Sequence, residues 1–445
     1  MAFSIIRHAH GIGSRVNIVF FAIVALAFAV AAWRQIAATP GDGPTPMDAL
    51  GLSALDAATG AVTLGIGLIG TMALFLGLMK IAERAGLLNL LARLLRPLMV
   101  RLFPDVPADH PAMGAMVMNV AANMLGLSNA ATPFGVRAMQ ELDRLNPIRG
   151  TATDSMVLFL AINTANVTLL PTHVMALRAS LGSHDPGAVI PTTLIATLGS
   201  TLIAILTAKL AARWFPPGTP DLAQEEAFVP PPMEEPADEP CASPGPPPAR
   251  WASLLAFLAL ASILPAMLIW GRTLSPWIIP TMILGILTFG VMRRVPVYEA
   301  FVEGAKDGIT LAFRIIPYLI AILAAVAMFR ASGAMELLIA PLGAITSAFG
   351  LPPEALTMAV MRSLSGSASF GYLASLLQDP AIGPDSYLGT LLSTIYASSE
   401  TTFYVLAVYF GAVGVKRIRH ALLAGILADI AAVAVAVLVC GWLAG

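Results

Sequence analysis

The feature that most constrains this chain is a series of apolar runs, each long enough to cross the hydrocarbon of a bilayer as a helix, for which roughly 20 residues suffice. They lie at 16–33, 60–79, 191–210, 251–270 and 420–443. Charge is too sparse for a water-soluble alternative. Only 11% of residues are charged and 57% are hydrophobic, whereas soluble globular chains carry about 25% charged residues. In lipid each backbone N–H and C=O must be satisfied within the protein, which favours helices. The sequence therefore reads as an all-α integral membrane protein with the lipid bilayer as its first partner.

Formal net charge is −1, from 25 Lys and Arg against 26 Asp and Glu. No strong global field follows, so nucleic acid is not implied as a partner. Cys241 and Cys440 are the two cysteines, and their spacing suggests no disulfide framework, zinc site or iron–sulfur cluster. A phosphate-binding Walker loop, a Gly-x-Ser-x-Gly elbow and a His-Glu-x-x-His helix are all missing. The expectation is a protein that is not an enzyme and has no cofactor or metal site.

Lys and Arg gather on cytoplasmic loops of membrane proteins. Here they cluster at 7–15, 80–101, 209–213, 293–294 and 416–419, whereas 40–56 carries three aspartates and neither Lys nor Arg. This pattern predicts a multi-pass protein of a bacterial inner (plasma) membrane, with a cytoplasmic N-terminus and a periplasmic C-terminus. The first apolar run is long for a signal peptide and lacks a clean small-x-small cleavage site, so it reads as a retained anchor.

Residues 216–248 hold twelve prolines and seven acids. Such a stretch cannot bury a core. It reads as a disordered cytoplasmic linker, 216–250, between an N-terminal domain, 1–215, and a C-terminal domain, 251–445. The two sides resemble each other. Arg84-Ala85-Gly86 matches Arg330-Ala331-Ser332-Gly333, Phe134-Gly135 matches Phe370-Gly371, and Asp154-Ser155 matches Asp385-Ser386, in the same order. An internal repeat with Gly- and Pro-interrupted apolar segments points to a transporter-type binding site.

Four polar clusters occupy the interrupted segments. Asn119 and Asn123 are four apart and share a helix face, with Asn129 and Thr132 following near Gly126 and Pro133. The break is expected at Pro133, which has no N–H. The corresponding stretch of the second half holds Arg362, Ser365 and Ser367. Asn163, Asn166 and Thr168 form the third cluster, ending at Pro171. Ser398, Ser399, Glu400 and Thr401 form the fourth, and a locally unwound segment lining a cavity would keep them from lipid. Together these are the candidate substrate-binding or pore-lining residues for an unknown small polar solute. Glu400 and Arg362 are ionisable where a charge is costly, and both are expected to face one internal cavity, with pairing to each other as the alternative. Single Ser and Thr residues also glue membrane helices together. Asp154 and Asp385 each open an apolar segment and read as N-caps, and His173 stands alone past Pro171. A homo-oligomer is compatible with all of this.

At these residues the first half resembles spore maturation protein A, through 66–74, 77–83, 110–116, 123–133 and 159–164. The second half resembles spore maturation protein B, through 316–318, 329–333, 363–367, 383–386 and 399–413. Both halves look like the nucleoside recognition (Gate) domain, which also occurs in ferrous iron transporters of the B type and in concentrative nucleoside transporters. The resemblance implies two homologous Gate-type helical repeats with broken or re-entrant helices and a transport or channel role of unknown substrate. Because relatives in spore formers are linked to spore core dehydration, it also leaves open a membrane scaffold or assembly factor in cell-envelope processes. Arg362-Ser363 stands where the spore-former pattern has Arg-Pro.

Overall fold

The computed structural model describes residues 2–37, 45–216, 277–335, 337, 343 and 346–444. The linker beyond Pro216, Cys241 with it, and the apolar run 251–270 lie outside the described residues. Helices make up the described architecture, apart from one isolated bridge between Thr151 and Arg417. In chain order they are α1 (Ala2–Ala37), α2 (Pro46–Arg84), α3 (Leu87–Leu102), α4 (Pro111–Met124), α5 (Ser128–Arg144), α6 (Asp154–Ala165), α7 (Thr172–Ser180), α8 (Val189–Ala211), α9 (Trp277–Met292), α10 (Val297–Ala331), α11 (Pro353–Leu364), α12 (Gly366–Gln378), α13 (Tyr387–Ala397), α14 (Thr402–Ala412) and α15 (Ala421–Ala444).

Among the described residues, five helical stretches are long and apolar enough to cross a membrane: Phe20–Ala37, Pro46–Arg84, Pro186–Ala211, Val297–Ala331 and Ala421–Leu443. The fourth was not among the expected runs, because Glu299, Glu303, Lys306, Asp307 and Arg314 mask its apolar second half. The protein is an all-α, multi-pass membrane protein.

The chain forms two compact units. The first comprises Met1–Gly77, His173–Pro186 and Glu303–Tyr396, and the second Leu78–Thr172, Gly187–Val302 and Ala397–Gly445. Each unit takes residues from both sides of the linker, so units and sequence halves divide the chain differently.

In the second unit, α8 packs closely along α15. Ala196, Ser200, Ala204 and Ala208 on α8 and Ala424, Ala428 and Ala432 on α15 repeat every four residues, and all are buried. Small residues at that spacing let two membrane helices approach closely, where packing and not water expulsion holds them. Against this seam lies the core of Met113, Met116, Val117, Phe159, Leu160 and Val405. Helices α4 and α5 form a hairpin whose arms are tied by Asn119 Nδ2 donating to Ala131 O at 2.7 Å. The turn is made by Gly126 at φ +72°, a backbone state that a side chain disfavours. The interruption therefore falls at 125–127 and not at Pro133, which lies inside α5.

In the first unit, Ala27 and Ala31 of α1 and Leu50 of α2 pack with Met328 and Phe329 of α10, and Arg34 Nη1 donates to Ser332 O at 3.0 Å. Helices α11 and α12 form a second hairpin, with Thr357 on one arm beside Tyr372 on the other. Its turn is Ser365, extended at φ −155°, whose Oγ accepts from Ala368 N at 3.3 Å and so caps α12. Each sequence half thus supplies a helical hairpin and then an interrupted helix.

Candidate functional sites at the helix breaks

The first interrupted helix is α6 followed by α7. Helix α6 closes with Asn166 N donating to Ile162 O at 2.8 Å. The chain then stays non-helical through Pro171. A helix end leaves carbonyls without partners, and one of them, Thr164 O, accepts from Glu400 N at 2.8 Å. Glu400 belongs to the second interruption, 398–401, between α13 and α14. Two unwound segments from different sequence halves therefore meet backbone to backbone inside the second unit. The α4/α5 hairpin docks there as well. Leu169 N donates to Met124 O at 2.9 Å, and a side chain at Gly126 would run into Leu170 O.

Around this crossing the amides form a chain. Asn123 Nδ2 donates to Asn163 Oδ1 at 3.0 Å, and the Tyr409 hydroxyl donates to the same oxygen at 3.3 Å. Asn119 Nδ2 lies 3.2 Å from the Tyr409 oxygen, while Asn163 Nδ2 donates to Phe159 O at 2.9 Å. The Asn119 Oδ1 acceptor is buried and has no protein partner. Exchanging its amide atoms would not help, because Ala131 O needs a donor. Tyr409 was missed by the sequence reading. Its signal was Gly135 in the repeated Phe-Gly pair, where any Cβ would collide with the Tyr409 hydroxyl and Asn119.

The other expected residues of the second unit sit nearby in the chain. Asn166 and Thr168 are buried on the unwound segment, Thr168 N lying 3.4 Å from Thr197 Oγ1 and its own Oγ1 donating to Asn166 O at 3.3 Å. Ser398, Ser399 and Thr401 are buried and Glu400 is half-buried. Thr132 is half-buried on α5, and the Asn129 side chain lies outside the described ones.

Arg362, Ser365 and Ser367 fall in the first unit, at the α11/α12 turn. Arg362 is buried; its Nε donates to Tyr396 O at 2.9 Å and its guanidinium lies 4.7 Å from the Tyr396 ring centroid. Ser365 is half-buried and Ser367 exposed, their hydroxyls 3.4 Å apart. Beside this turn is a cavity of about 130 Å³ lined by His173, Tyr318, Ser367, Phe370 and Tyr396 with apolar neighbours. Arg362 and Glu400 thus belong to different units.

The expected N-caps are corrected. Thr153 caps α6, its Oγ1 accepting from Met156 N at 3.2 Å, and Ser386 accepts from Gly389 N at 2.9 Å ahead of α13. The neighbouring aspartates form ion pairs instead. Asp154 meets Arg419 at 2.7 Å in the second unit. Asp385 meets Arg178 at 3.2 Å in the first. A hydroxyl does the capping because it leaves the carboxylate free to neutralise a buried cation. Burial works to raise the Asp385 pKa, but hydrogen bonds from Ser183 and from His184 N and ring, with the Arg178 charge, hold it below the usual carboxylate range.

Asp429 is a second residue that the sequence reading passed over. It is buried within the α15 span, and its Oδ2 accepts from Thr402 Oγ1 at 2.7 Å. A lone acid in an apolar run was the available signal.

Residues 65–181 match the Gate family model, described as nucleoside recognition. The chain is 45% identical over 166 residues to spore maturation protein B of Bacillus subtilis (strain 168), which covers 37% of this chain and 92% of that protein. It is 47% identical over 146 residues to spore maturation protein A of the same organism, covering 33% of this chain and 74% of that protein. Among solved structures, the YdaH transporter of Alcanivorax borkumensis matches at a TM-score of 0.36 and 18% identity, over 96% of this chain and 98% of that one. That likeness is too low to carry an argument about function. The two curated relatives are matched at high identity over most of their own lengths, and on that ground this chain belongs to the family of spore maturation proteins A and B.

Proposed function

We propose that this protein is an inner-membrane transporter or channel for a small polar solute. The observation that supports the reading most is the Glu400 to Thr164 backbone bond, which joins interruptions of two helices from related halves. Irregular backbone at membrane depth is tolerated where it is buried in protein or lines a water-filled cavity. Paired interruptions in repeated halves are how many membrane carriers build a solute site. The nucleoside recognition description of residues 65–181 supports a solute that hydrogen-bonds through several groups.

In this reading Asn119, Asn123, Asn129, Thr132, Asn163, Asn166, Thr168, Ser398, Ser399, Glu400 and Thr401 supply polar surface in the second unit. Arg362, Ser365 and Ser367 supply it in the first. Amides and hydroxyls offer both donors and acceptors. Arg362 favours an anionic group, and Glu400 a proton or cation. The Lys and Arg distribution supports a cytoplasmic N-terminus and a periplasmic C-terminus. Two Gate-type domains, 1–215 and 251–445, joined by the linker 216–250, account for the internal repeat.

The test is uptake and efflux by the full chain in proteoliposomes, against a panel of nucleosides, dicarboxylates, ions and peptidoglycan precursors. Flux of one class above empty vesicles is expected. A folded protein that neither moves nor binds any of them would overturn the reading. That outcome would favour a membrane scaffold for envelope assembly, a second reading supported by the maturation role in the names of both relatives.

A further inference from the structure

We propose that Asp429 is a proton-binding site within the membrane-spanning part of the second unit, and that Thr402 transmits its charge state to the unwound segment 398–401. Proton binding at this carboxyl stands by itself; its use in coupling rests on the transport reading above.

Asp429 is the one charged residue in the span Ala421–Leu443, whose mean hydropathy is 2.7. It lies roughly 12 Å along the helix from Ala421, at the usual helical rise. An acid at mid-span is costly and marks function by default. The Asp429 side chain is 8% exposed and Thr402 is fully buried. Thr402 is the first residue of α14, directly after the interruption. Its hydroxyl donates to Asp429 Oδ2 at 2.7 Å, a normal O–H···O hydrogen-bond length. The neighbouring hydroxyl of Ser200 is already committed to Ala428 O at 2.8 Å. Gly425, one turn before Asp429 on α15, makes room for Thr402, because a Cβ there would run into the Thr402 methyl.

The titratable groups on the elements packed against this face are few. They are Asp154 at the far start of α6, Lys209 near the end of α8, Tyr404 and Tyr409 on α14, and Glu400 in the segment before it; His420 precedes α15. An ionised carboxylate only accepts hydrogen bonds, whereas a carboxylic acid also donates one. Protonation takes H⁺ from hydronium, forms one O–H bond on the carboxyl and releases water. Thr402 then faces a neutral acceptor in place of an anion, which weakens the bond fixing the first turn of α14. The adjacent interruption loses an anchor when the proton arrives and regains it when the proton leaves.

The test is infrared difference spectroscopy of the full chain in lipid while pH is lowered at constant sodium, and while sodium is varied at constant pH. In the wild type a carboxylic-acid C=O band is expected to grow as pH falls. D429N should lose that band and E400Q should keep it. In T402V it should persist at higher frequency, because a hydrogen bond to the carboxyl is gone. Superimposable wild-type and D429N spectra, loss of the band in E400Q instead, or a response to sodium equal to that to protons would each overturn the proposal. Should D429N not fold, the T402V shift decides: an unmoved band is a negative result. A band without solute flux would leave this site standing and count against transport, and pH-insensitive flux without a band would do the reverse.

Discussion

The Arg178 guanidinium and the Asp385 carboxylate meet at 3.2 Å between the end of one broken helix and the start of the other. Asp154 and Arg419 repeat the arrangement at 2.7 Å with the sequence halves exchanged. In each case the aspartate that opens a broken helix in one half bonds an arginine at or past the end of the interrupted helix of the other, Arg178 in the last turn of α7 and Arg419 after α14. Reciprocal pairs of this kind are what a repeat that exchanges its ends would produce.

Arg178 is 1% exposed and also donates to Pro384 O at 2.6 Å and Asp185 O at 3.3 Å. Arg178→Ala would strip several acceptors at once and is expected to destabilise by about 3 kcal/mol or more, in the range for broken buried pairs. Asp385 is partly exposed, so Asp385→Asn should cost less. Because the folded Asp385 pKa is depressed, its contribution is present above the ordinary carboxylate value, about 3.9, and is lost as pH falls through the lowered folded value. Thermal melting in mild detergent should therefore be flat in this contribution from pH 7 to about 5 and weaken in stronger acid. Asp385→Asn should remove that part of the acid dependence. An unchanged acid limb in Asp385→Asn would show that other carboxylates govern it.

Gly135→Ala places a methyl where the Tyr409 hydroxyl and Asn119 sit. Overpacking of this kind costs about 1–3 kcal/mol. Tyr409→Phe alone removes a hydrogen bond to Asn163 Oδ1, which keeps Asn123 as donor, so about 1 kcal/mol is expected. The double mutant should be somewhat more stable than the sum of the two, because Phe removes one of the clashing atoms, the hydroxyl oxygen, although the ring carbon that carried it and Asn119 stay in the way. Strict additivity of the melting shifts would place the Gly135 constraint elsewhere.

The proposed linker can be tested by cutting it. Both compact units contain residues from each side of 217–250, so described residues of the two sequence halves pack together within each unit. A protease site inserted between Asp221 and Ser243 and cleaved after purification should leave both fragments co-eluting in mild detergent. Separation of the fragments without denaturant would contradict this.

Much of the fold was legible because a bilayer narrows the options to helices. Run length and sparse charge located four of the five described spans, while the charged first turns of α10 concealed the fifth. Unwinding at 398–401 was legible from a run of polar residues that no helix can turn wholly away from lipid, whereas 166–171 was read only as the end of a polar cluster closing at Pro171. The hairpin turn was misplaced to Pro133. Pro133, the sixth residue of α5, sits inside the helix without ending it, and the left-handed backbone at Gly126 cannot be inferred from one glycine among 37. Partners distant in sequence were hidden for a different reason. Tyr409 with Asn119 and Thr402 with Asp429 depend on which helices pack, and spacing along a chain carries no such information.

Glu400 offers a separation of backbone from charge. Its N–H holds Thr164 O at 2.8 Å, and that bond is kept when the side chain becomes an amide. Glu400→Gln should therefore insert and melt like the wild type while solute flux falls at least about tenfold, a loss of about 1.4 kcal/mol in the limiting step. Arg362 has the converse design. Its Nε bond to Tyr396 O and its place over the Tyr396 ring use the planar guanidinium as well as the charge, so Arg362→Lys retains the charge and loses the geometry. If the charge acts on an anionic group of the solute, Arg362→Lys should keep part of the flux that Arg362→Gln loses, and the half-saturation concentration should rise. If the residue only braces Tyr396, the Lys and Gln variants should be equally impaired, melt lower than wild type and leave half-saturation unchanged. Wild-type flux in Glu400→Gln or Arg362→Gln would remove that residue from the proposed site.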